Sequence, residues 1–275
     1  MERDLISHIA HADHPVASPI SEEHIDRLLV RAKLPKDARI LDLGCGAAEW
    51  TLRALALYPD ATADGVDVSA HALASATRAA EERGVADRIR LHRVSATEFG
   101  LPGAGDGETR VPETSGRGTG AARTPEATGG EPYDLVMCVG STHVFGGLVP
   151  TMEAVAGFLR PGGLALVGEG FWESPPTPEL AAQLVDDPDE YADLGGTVAR
   201  AENAGYVTVY AHTSELAEWD DYEWSWTGTL LRWAEEHPGP DGEAAREAAL
   251  AHREMWLNGY RRVLGFVSLL LRRTR

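Results

Sequence analysis

The chain has 275 residues and a hydrophobic fraction of 43%, which is enough for one large α/β domain with a sizeable core. Its formal net charge of −18 disfavours binding to the backbone of nucleic acids or to an anionic membrane surface. Two cysteines, Cys45 and Cys138, make neither a disulfide framework nor a zinc site, so we expect no metal and a reducing, cytoplasmic setting. The N-terminus has no apolar leader run, and the apolar run at 263–271 is too short to cross a bilayer.

Residues 1–36 precede the first predicted strand, and we expect them to form a helical cap. Ser21, followed by acidic and then apolar residues, predicts the start of an N-capped amphipathic helix. His8 and His11 are spaced to share one helical face, but no carboxylate or cysteine stands at ligand spacing to complete a metal site. The sequence therefore predicts a partly exposed cap that lies over a ligand pocket.

The stretch 39–50 is typical of a buried strand, a glycine-rich turn and the start of a helix. Gly44 and Gly46 allow a sharp turn that comes close to a ligand, and the amides after them can bind polar groups. The dinucleotide fingerprint requires a small residue three positions after Gly46, but Glu49 stands there and would repel a pyrophosphate. The turn therefore favours a nucleotide-like cofactor without phosphates, although taken alone it is also compatible with an ordinary strand-to-helix turn.

A second predicted strand, at 61–69, carries an acid near its end. Asp67 stands about 20 residues after Gly46, the spacing at which such an acid reaches the ribose of a bound nucleotide. An ionised carboxylate can accept hydrogen bonds from both ribose hydroxyls. Capping the following helix is the alternative role, but Ser69 is placed to supply that cap instead.

The middle of the chain contains two more predicted strands and one segment of different composition. Residues 71–83 predict a helix and 88–94 a third strand, which is followed by the polar segment 95–97. Residues 101–132 are dense in Gly, Pro, Thr, Glu and Arg, and predict a low-complexity, disordered insertion. A buried fourth strand at 133–140 then leads into a loop at the end of the sheet where ligands bind in open α/β folds.

The last part of the chain continues the alternation of helices and strands. We expect a fifth strand at 164–168, a sixth at 206–212 and a C-terminal strand at 265–271, with helices at 148–159, 197–204, 215–236 and 242–262. Residues 171–262 are rich in aromatic side chains, and we expect them to form the substrate side of the molecule.

Several of these motifs resemble those of class I S-adenosylmethionine-dependent methyltransferases. Asp42-Leu43-Gly44-Cys45-Gly46 is similar to their first motif, with Ala48 where a third glycine usually stands. The segment 65–69 is similar to their second motif, and 159–163 to the turn before their fifth strand. The aromatic motifs at 168–172 and 219–222 resemble those of a bacterial subgroup whose substrates are largely unassigned.

The resemblance implies one domain over residues 1–275 with a Rossmann-like, doubly wound α/β sheet of seven strands. The sheet would be mostly parallel, with an antiparallel last strand between the fifth and sixth, and a helical cap at the N-terminus. S-adenosylmethionine would be the cofactor, and Ser95 would replace the acid that usually binds the adenine amino group. The implied cofactor-binding residues are Asp42, Gly44, Cys45, Gly46, Asp67, Val68, Ser95, Ala96, Thr97 and Gly140.

Methyl transfer from a sulfonium depends mainly on positioning, with a general base needed only for a protonated nucleophile. His143, in the loop after the fourth strand, is the candidate base, and Glu169 at the end of the fifth strand is the second candidate catalytic residue. The alternative for His143 is a packing or hydrogen-bonding role, and the alternative for Glu169 is to cap the next turn. The candidate substrate-binding residues are His143, Phe171, Trp172, Trp219 and Tyr222.

The sequence thus favours a methyltransferase that acts on a small molecule, for example in secondary metabolism, as a monomer or homodimer. Neither a nucleic acid nor a membrane is expected as a partner. Two alternatives remain open at this point. One is an enzyme that keeps the fold but performs non-methylating chemistry, such as cyclisation of S-adenosylmethionine or a reaction without it. The other is a non-catalytic partner subunit, against which Asp67 and the Gly44–Gly46 turn argue.

Overall fold

The computed structural model describes residues 1–100, 131–185, 187 and 189–274. Apart from Glu131 and Pro132, the insertion predicted at 101–132 lies outside the described residues. The strands of the central sheet are β1 (Arg39–Leu43), β2 (Thr62–Asp67), β3 (Ile89–Arg93), β4 (Tyr133–Val139), β5 (Leu159–Trp172), β6 (Tyr206–Thr213) and β7 (Leu264–Arg273). The helices are α1 (Arg3–Ala10), α2 (Glu22–Ala32), α3 (Glu49–Leu57), α4 (Ala70–Glu82), α5 (Leu148–Phe158), α6 (Pro178–Leu184), α7 (Leu194–Asn203), α8 (Leu216–Glu236) and α9 (Pro240–Met255).

The sheet has the strand order β3-β2-β1-β4-β5-β7-β6. The first five strands in this order pair in parallel, whereas β7 is antiparallel to both β5 and β6. This arrangement confirms the predicted Rossmann-like sheet with an antiparallel last strand between the fifth and the sixth. The order reverses between β1 and β4, and a ligand crevice forms beyond the carboxyl ends of the strands at such a point.

Helices cover both faces of the sheet because neighbouring residues of a strand point to opposite faces. Ile40 of β1 packs in a core with α2, α3 and α4, whereas the next residue, Leu41, packs in a core with α5 and α7. The buried strands are therefore apolar on both faces, as expected for a doubly wound parallel sheet.

A third core lies away from the sheet and joins the two ends of the chain. Ile9 and Ala10 of α1 pack with Leu230 of α8 and Ala249 of α9. The N-terminal cap is therefore held by helices of the C-terminal half, which contribute the aromatic residues expected on the substrate side. Within the part of the chain that the structure describes, no helix is both long and apolar enough to cross a membrane.

Several element boundaries differ from the sequence-based expectations for identifiable reasons. The helix α7 begins at Leu194 rather than Thr197, because the Asp193 carboxylate caps it by accepting a hydrogen bond from the Gly196 amide at 2.7 Å. Ser21 occupies the N-cap of α2 without a capping bond from its side chain, since its hydroxyl lies 2.9 Å from His24 Nδ1. The strand β5 runs on to Trp172 because it pairs with β7 along its full carboxyl-terminal half.

The contact between β5 and β7 depends on a missing side chain at Gly265. We expect Gly265→Ala to lower the free energy of unfolding by about 1–3 kcal/mol, because the new Cβ would lie 2.3 Å from the buried Phe171 ring. Gly228→Ala, within α8, is the matched control, since its Cβ would meet no atom closer than 3.6 Å. It should raise the free energy of unfolding by about 0.5–1 kcal/mol, because alanine is less free than glycine in the unfolded chain. Urea unfolding of both variants measures the two effects, and a neutral Gly265→Ala would contradict this account of the packing.

Candidate active site

The glycine turn after β1 lies at the crevice where the strand order reverses. Gly44 and Gly46 have φ values of +77° and +54°, in the left-handed region that favours glycine. The amides of Gly44 and Cys45 both donate to the Val66 carbonyl, at 2.8 and 3.0 Å, and so fasten the turn to the end of β2. A Cβ on Gly44 would lie only 2.4 Å from Ser141 Oγ, so the close approach of the loop after β4 requires glycine here.

Asp67 holds the other side of the turn. Its Oδ2 accepts from the Gly46 amide and its Oδ1 from the Ser69 amide, both at 2.8 Å. Each oxygen has two lone pairs, so the carboxylate can still accept hydrogen bonds from a ligand. The helix cap that follows is supplied by Ser69, whose Oγ accepts from the Ala72 amide at 3.1 Å. The structure thus assigns the capping role to Ser69 and leaves Asp67 at the crevice.

A large cavity of about 590 Å³ opens over this turn, within the size range of small-molecule sites. Seven of the predicted cofactor residues line it, namely Gly44, Gly46, Asp67, Val68, Ser95, Ala96 and Gly140. It is also lined by residues that the sequence patterns did not indicate, including Ser75 and Arg78 of α4 and Val144 after β4. These were missed because only the folded sheet brings α4 and the loop after β4 to the same crevice.

Three predicted cofactor residues are not among the residues that line the large cavity. Asp42 is buried behind the turn, where Thr51 Oγ1 donates to its Oδ2 at 2.7 Å. Burial raises the pKa of Asp42 to about 7, although this hydrogen bond opposes the shift. Cys45 packs in the core beside Gly65, and Thr97 Oγ1 is 2.8 Å from Ser95 Oγ. Asp42 and Cys45 are therefore buried beside the turn, whereas Thr97 is exposed.

Glu49 lies buried behind the turn and does not face the cavity. Its carboxylate is buried and paired with two arginines, with Oε1 2.9 Å from Arg53 Nε and Oε2 2.6 Å from an Arg83 guanidinium nitrogen. Arg53 also pairs with Glu22 and Asp26, so Glu49 is buried in an ion-pair cluster, and it does not line the cavity. It therefore does not face a phosphate bound there. The exclusion of dinucleotides on charge is therefore wrong, because the sequence does not reveal that Arg83 folds back onto Glu49.

The N-terminal cap forms part of the wall of the large cavity. Its residues at the cavity are Asp4, Ser7, His8, His11, Ala12, Pro15 and Ala17. His8 stacks on His71 of α4, with ring centroids 5.4 Å apart, and His11 Nε2 is hydrogen-bonded to the Tyr222 hydroxyl at 3.0 Å. The cap therefore reaches from α4 across to α8.

A small cavity of about 190 Å³ adjoins the large one. Ala17, Gly140 and His143 line both cavities, so the two meet at the loop after β4. His143 is exposed to this space, and its ring makes no hydrogen bond to another described residue. Glu169 also lines the small cavity. Burial raises the pKa of Glu169 to about 7, against the hydrogen bond from the Gly170 amide, which lowers it.

Two of the four predicted aromatic substrate residues line the small cavity. Trp219 and Tyr222 of α8 do so, whereas Phe171 and Trp172 are not among its lining residues. Phe171 is only 2% exposed and belongs to the core beneath α5 and α7, as do Ala165 and Val167 at alternate positions of the same strand. Trp172 instead packs edge-on against Tyr191, with ring centroids 5.5 Å apart.

The remaining aromatic wall comes from residues that sequence reasoning missed. Tyr191 and Phe266 line the small cavity, and a Cβ on Gly170 or Gly168 would lie within 2.7 Å of their rings. Phe266 is opposite Gly170 in the β5–β7 pairing. The pairing of small residues with rings across β5 and β7 is a signal for the role of Phe266, but it can be recognised only once the register of the sheet is known.

A histidine–glutamate cluster, formed by His24, His212 and Glu218, joins the N-terminal cap to the sheet and to α8. The Glu218 carboxylate lies 2.8 Å from His24 Nδ1 and from His212 Nε2, and the two imidazole rings stack with centroids 3.8 Å apart. The amides of Ser21 and Glu215 also donate to this carboxylate. Burial alone would raise the pKa of Glu218, but these hydrogen bonds lower it well below its usual range.

The same cluster bears on the expectation that the chain binds no metal. Its ligand atoms lie within 4.8 Å of one another, so among the described residues these three are placed to hold a metal ion. In the structure, one ring nitrogen of each histidine lies 2.8 Å from a Glu218 oxygen. The absence of a metal stays a prediction.

Comparison with known proteins agrees with this geometry. A family described as a methyltransferase domain matches residues 41–165. A SAM-dependent methyltransferase from Geobacter sulfurreducens, solved in complex with S-adenosyl-L-homocysteine, is 26% identical with a TM-score of 0.79, over 98% of both chains. The chain therefore belongs to the class I S-adenosylmethionine-dependent methyltransferases, as its motifs predict. The cofactor of this superfamily is S-adenosylmethionine.

Within that class, the chain is similar to the uncharacterized protein YjhP of Escherichia coli (strain K12). The two are 30% identical over 244 residues, which is 88% of this chain and 87% of YjhP. The X-ray structure of YjhP has a TM-score of 0.80 to this fold and covers 98% of this chain and 99% of its own. The similarity includes the cap and the C-terminal helices, so both proteins belong to one family.

The histidine–glutamate cluster should stabilise the fold by an amount that depends on pH. We expect Glu218→Gln to lower the free energy of unfolding by about 2–3 kcal/mol near neutral pH, because the carboxylate accepts bonds from two histidines and two amides. The folded-state pKa of Glu218 is depressed, so this contribution is present above the unfolded pKa and is lost as the pH falls toward the folded one.

Urea unfolding at several pH values tests this. The difference between wild type and Glu218→Gln should narrow as the pH falls below about 4.5, the ordinary pKa of a glutamate. Glu235→Gln, at an exposed position of the same helix, is the control and should change stability by no more than about 0.5 kcal/mol. A difference that stays constant from neutral to acid pH would contradict the role of the ionised carboxylate.

Proposed function

We propose that this protein transfers a methyl group from S-adenosylmethionine to a small organic molecule, with the cofactor in the large cavity and the methyl acceptor in the small one. The observation that carries the proposal is the meeting of the two cavities at Gly140 and His143. A group in one cavity can face a group in the other there, beside the loop after β4. The membership in the methyltransferase superfamily and the size of each cavity support the same assignment.

The residues of the large cavity fit the cofactor. Asp67 has free lone pairs for the ribose hydroxyls, and a Cβ at Gly46 would meet no atom within 4 Å, so the turn leaves room for a ligand. Ser95 and Ala96 line the part of the cavity expected to take the adenine, and Gly44 the part expected to take the methionine. The homologous Geobacter sulfurreducens enzyme, with its S-adenosyl-L-homocysteine, supports this placement.

When bound, S-adenosylmethionine supplies an electrophilic methyl group whose leaving group needs no proton. The chain's own residues therefore contribute mainly by positioning, which can lower a barrier by roughly 7–11 kcal/mol. The N-terminal cap lines the large cavity, and the rings of Trp219 and Tyr222 line the small cavity proposed for the methyl acceptor. His143 is the group placed to remove a proton from the nucleophile, a step worth about 10²–10⁴-fold.

The proposed function includes the size of the substrate, the partners, the oligomeric state and the compartment of the enzyme. A cavity of about 190 Å³ favours a small molecule, for which secondary metabolism is one source. The net charge of −18 disfavours nucleic acids and anionic membranes as partners. All the groups invoked come from one chain, so a monomer or a homodimer would be active, and we propose that it acts in the cytoplasm.

The cofactor assignment predicts a loss of affinity on one substitution. We expect Asp67→Asn to weaken binding of S-adenosylhomocysteine by roughly 10- to 100-fold, the equivalent of losing hydrogen bonds to a charged group worth about 1.5–3 kcal/mol. Asp60→Asn makes the same chemical change at an exposed position before β2 and should leave the affinity unchanged. Isothermal titration calorimetry measures both, and a wild-type chain that does not bind S-adenosylhomocysteine would refute the proposed function.

Transfer itself is tested with S-adenosylmethionine carrying a labelled methyl group and a panel of small metabolites. We expect a labelled product, and we expect His143→Ala to lower the rate by about 10²–10⁴-fold with the affinity for S-adenosylhomocysteine within about threefold of wild type. An unchanged rate would remove His143 as the base. Binding without any labelled product, accompanied by methylthioadenosine, would instead favour non-methylating chemistry.

A further inference from the structure

The polar atoms of the small cavity indicate what kind of molecule it takes. Buried side-chain atoms normally have a hydrogen-bond partner. Among the described residues, seven buried side-chain atoms have none, and three of these belong to residues lining the small cavity: Ser18 Oγ, Glu169 Oε2 and Trp219 Nε1. Such a concentration at one cavity is expected where a polar ligand supplies the missing partners.

Glu169 is the strongest of these three indications. Its side chain is only 4% exposed, its Oε1 accepts from the Gly170 amide at 2.9 Å, and its Oε2 has no partner. A buried polar atom without a partner is costly, because it has lost its hydrogen bonds to water and gained none in return. Burial raises the pKa of this carboxyl, but a donor that carries positive charge would lower it again and leave an ionised carboxylate, which only accepts. The partner that we infer for Oε2 is therefore a hydrogen-bond donor.

The other residues that line the small cavity favour a donor with a positive charge. Among the described residues that line the small cavity there is no lysine or arginine, so an acidic ligand would find no fixed cation. The rings of Tyr191, Trp219, Tyr222 and Phe266 line the same space. Aromatic faces attract cations, and a buried carboxylate pairs best with a cation that it can hydrogen-bond.

We propose that the methyl acceptor is a small amine, bound through its N–H groups by Glu169 between the aromatic rings. This proposal rests on the proposed function and names the class of its substrate. Glu169 then binds the substrate directly, and His143, at the junction of the two cavities, takes the proton that frees the nitrogen lone pair.

The charge balance of the reaction favours nitrogen over oxygen at this site. When bound, S-adenosylmethionine supplies the methyl group: the nitrogen lone pair forms the N–C bond while the C–S bond breaks and leaves its electron pair on sulfur. Positive charge thus passes to the nitrogen beside Glu169, where the carboxylate stabilises it as it develops. A phenolate or carboxylate nucleophile would instead bring a negative charge toward Glu169 and be repelled.

Three probes of one shape test the substrate class by calorimetry on the chain saturated with S-adenosylhomocysteine. Benzylamine, benzyl alcohol and benzoate share a ring and differ in charge. We expect benzylamine to bind at least about tenfold more tightly than the other two, because only it gives Glu169 a charged donor. Equal binding of the three, tighter binding of benzoate, or no binding of benzylamine would overturn the proposal.

Substitutions test whether Glu169 causes the preference for benzylamine. Glu169→Gln should weaken benzylamine by at least about tenfold and change benzyl alcohol by less than about threefold, whereas Glu169→Asp should keep part of the preference for the amine. Glu173→Gln removes an exposed carboxylate just after β5 and is the control, which should leave the preference for benzylamine unchanged. An unchanged preference for benzylamine in Glu169→Gln would overturn the role of this residue.

Binding of S-adenosylhomocysteine distinguishes a failure of the proposed function from a failure of the amine proposal. If the wild type fails to bind it, the proposed function fails. If the wild type binds it but ranks the probes otherwise, only the amine proposal fails. Loss of S-adenosylhomocysteine binding in Glu169→Gln would show that this variant does not fold. In that case the relative affinities of the wild type for the three probes decide whether the amine proposal holds.

Discussion

The site depends on one carboxylate that joins two strands at the point where the sheet reverses its order. Asp67, at the end of β2, accepts the Gly46 amide of the turn that follows β1. This bond holds the turn open toward the crevice, while the Val66 carbonyl fastens its other side through two amides. Without the bond from Gly46 to Asp67, only the two bonds to Val66 would hold the turn, and its glycines would be less restricted in conformation.

The small cavity depends on a second constraint, the close pairing of β5 with the antiparallel β7. Gly168 and Gly170 leave space that the rings of Phe266 and Tyr191 fill, and Gly265 does the same for Phe171. Side chains at these glycines would separate the strands. Glycines in the two strands therefore make room for an aromatic cavity. Glu169 lines this cavity, and its buried carboxylate has one oxygen without a partner.

The two ends of the chain complete the site together. Helix α1 packs on α8 and α9, and the histidine–glutamate cluster ties the cap to β6 and α8 through Glu218. The cap lines the large cavity and α8 lines the small one, with His11 and Tyr222 hydrogen-bonded between them. Movement of the cap would thus alter both cavities, because the same helix carries Trp219 and anchors the cap through its neighbour Glu218.

The sequence by itself determined the strands, most of the helices, the glycine turn and the position of Asp67. These features depend on local periodicity and on residues a fixed distance apart along one strand–turn–helix unit, so they can be predicted without the fold. Only the tertiary structure decided that Glu49 is neutralised by Arg83, that Phe171 is core, and that Tyr191 and Phe266 reach the small cavity. Each of these outcomes depends on which distant residue meets the side chain, and that is set by the register of β5 with β7 and by the packing of helices on the sheet.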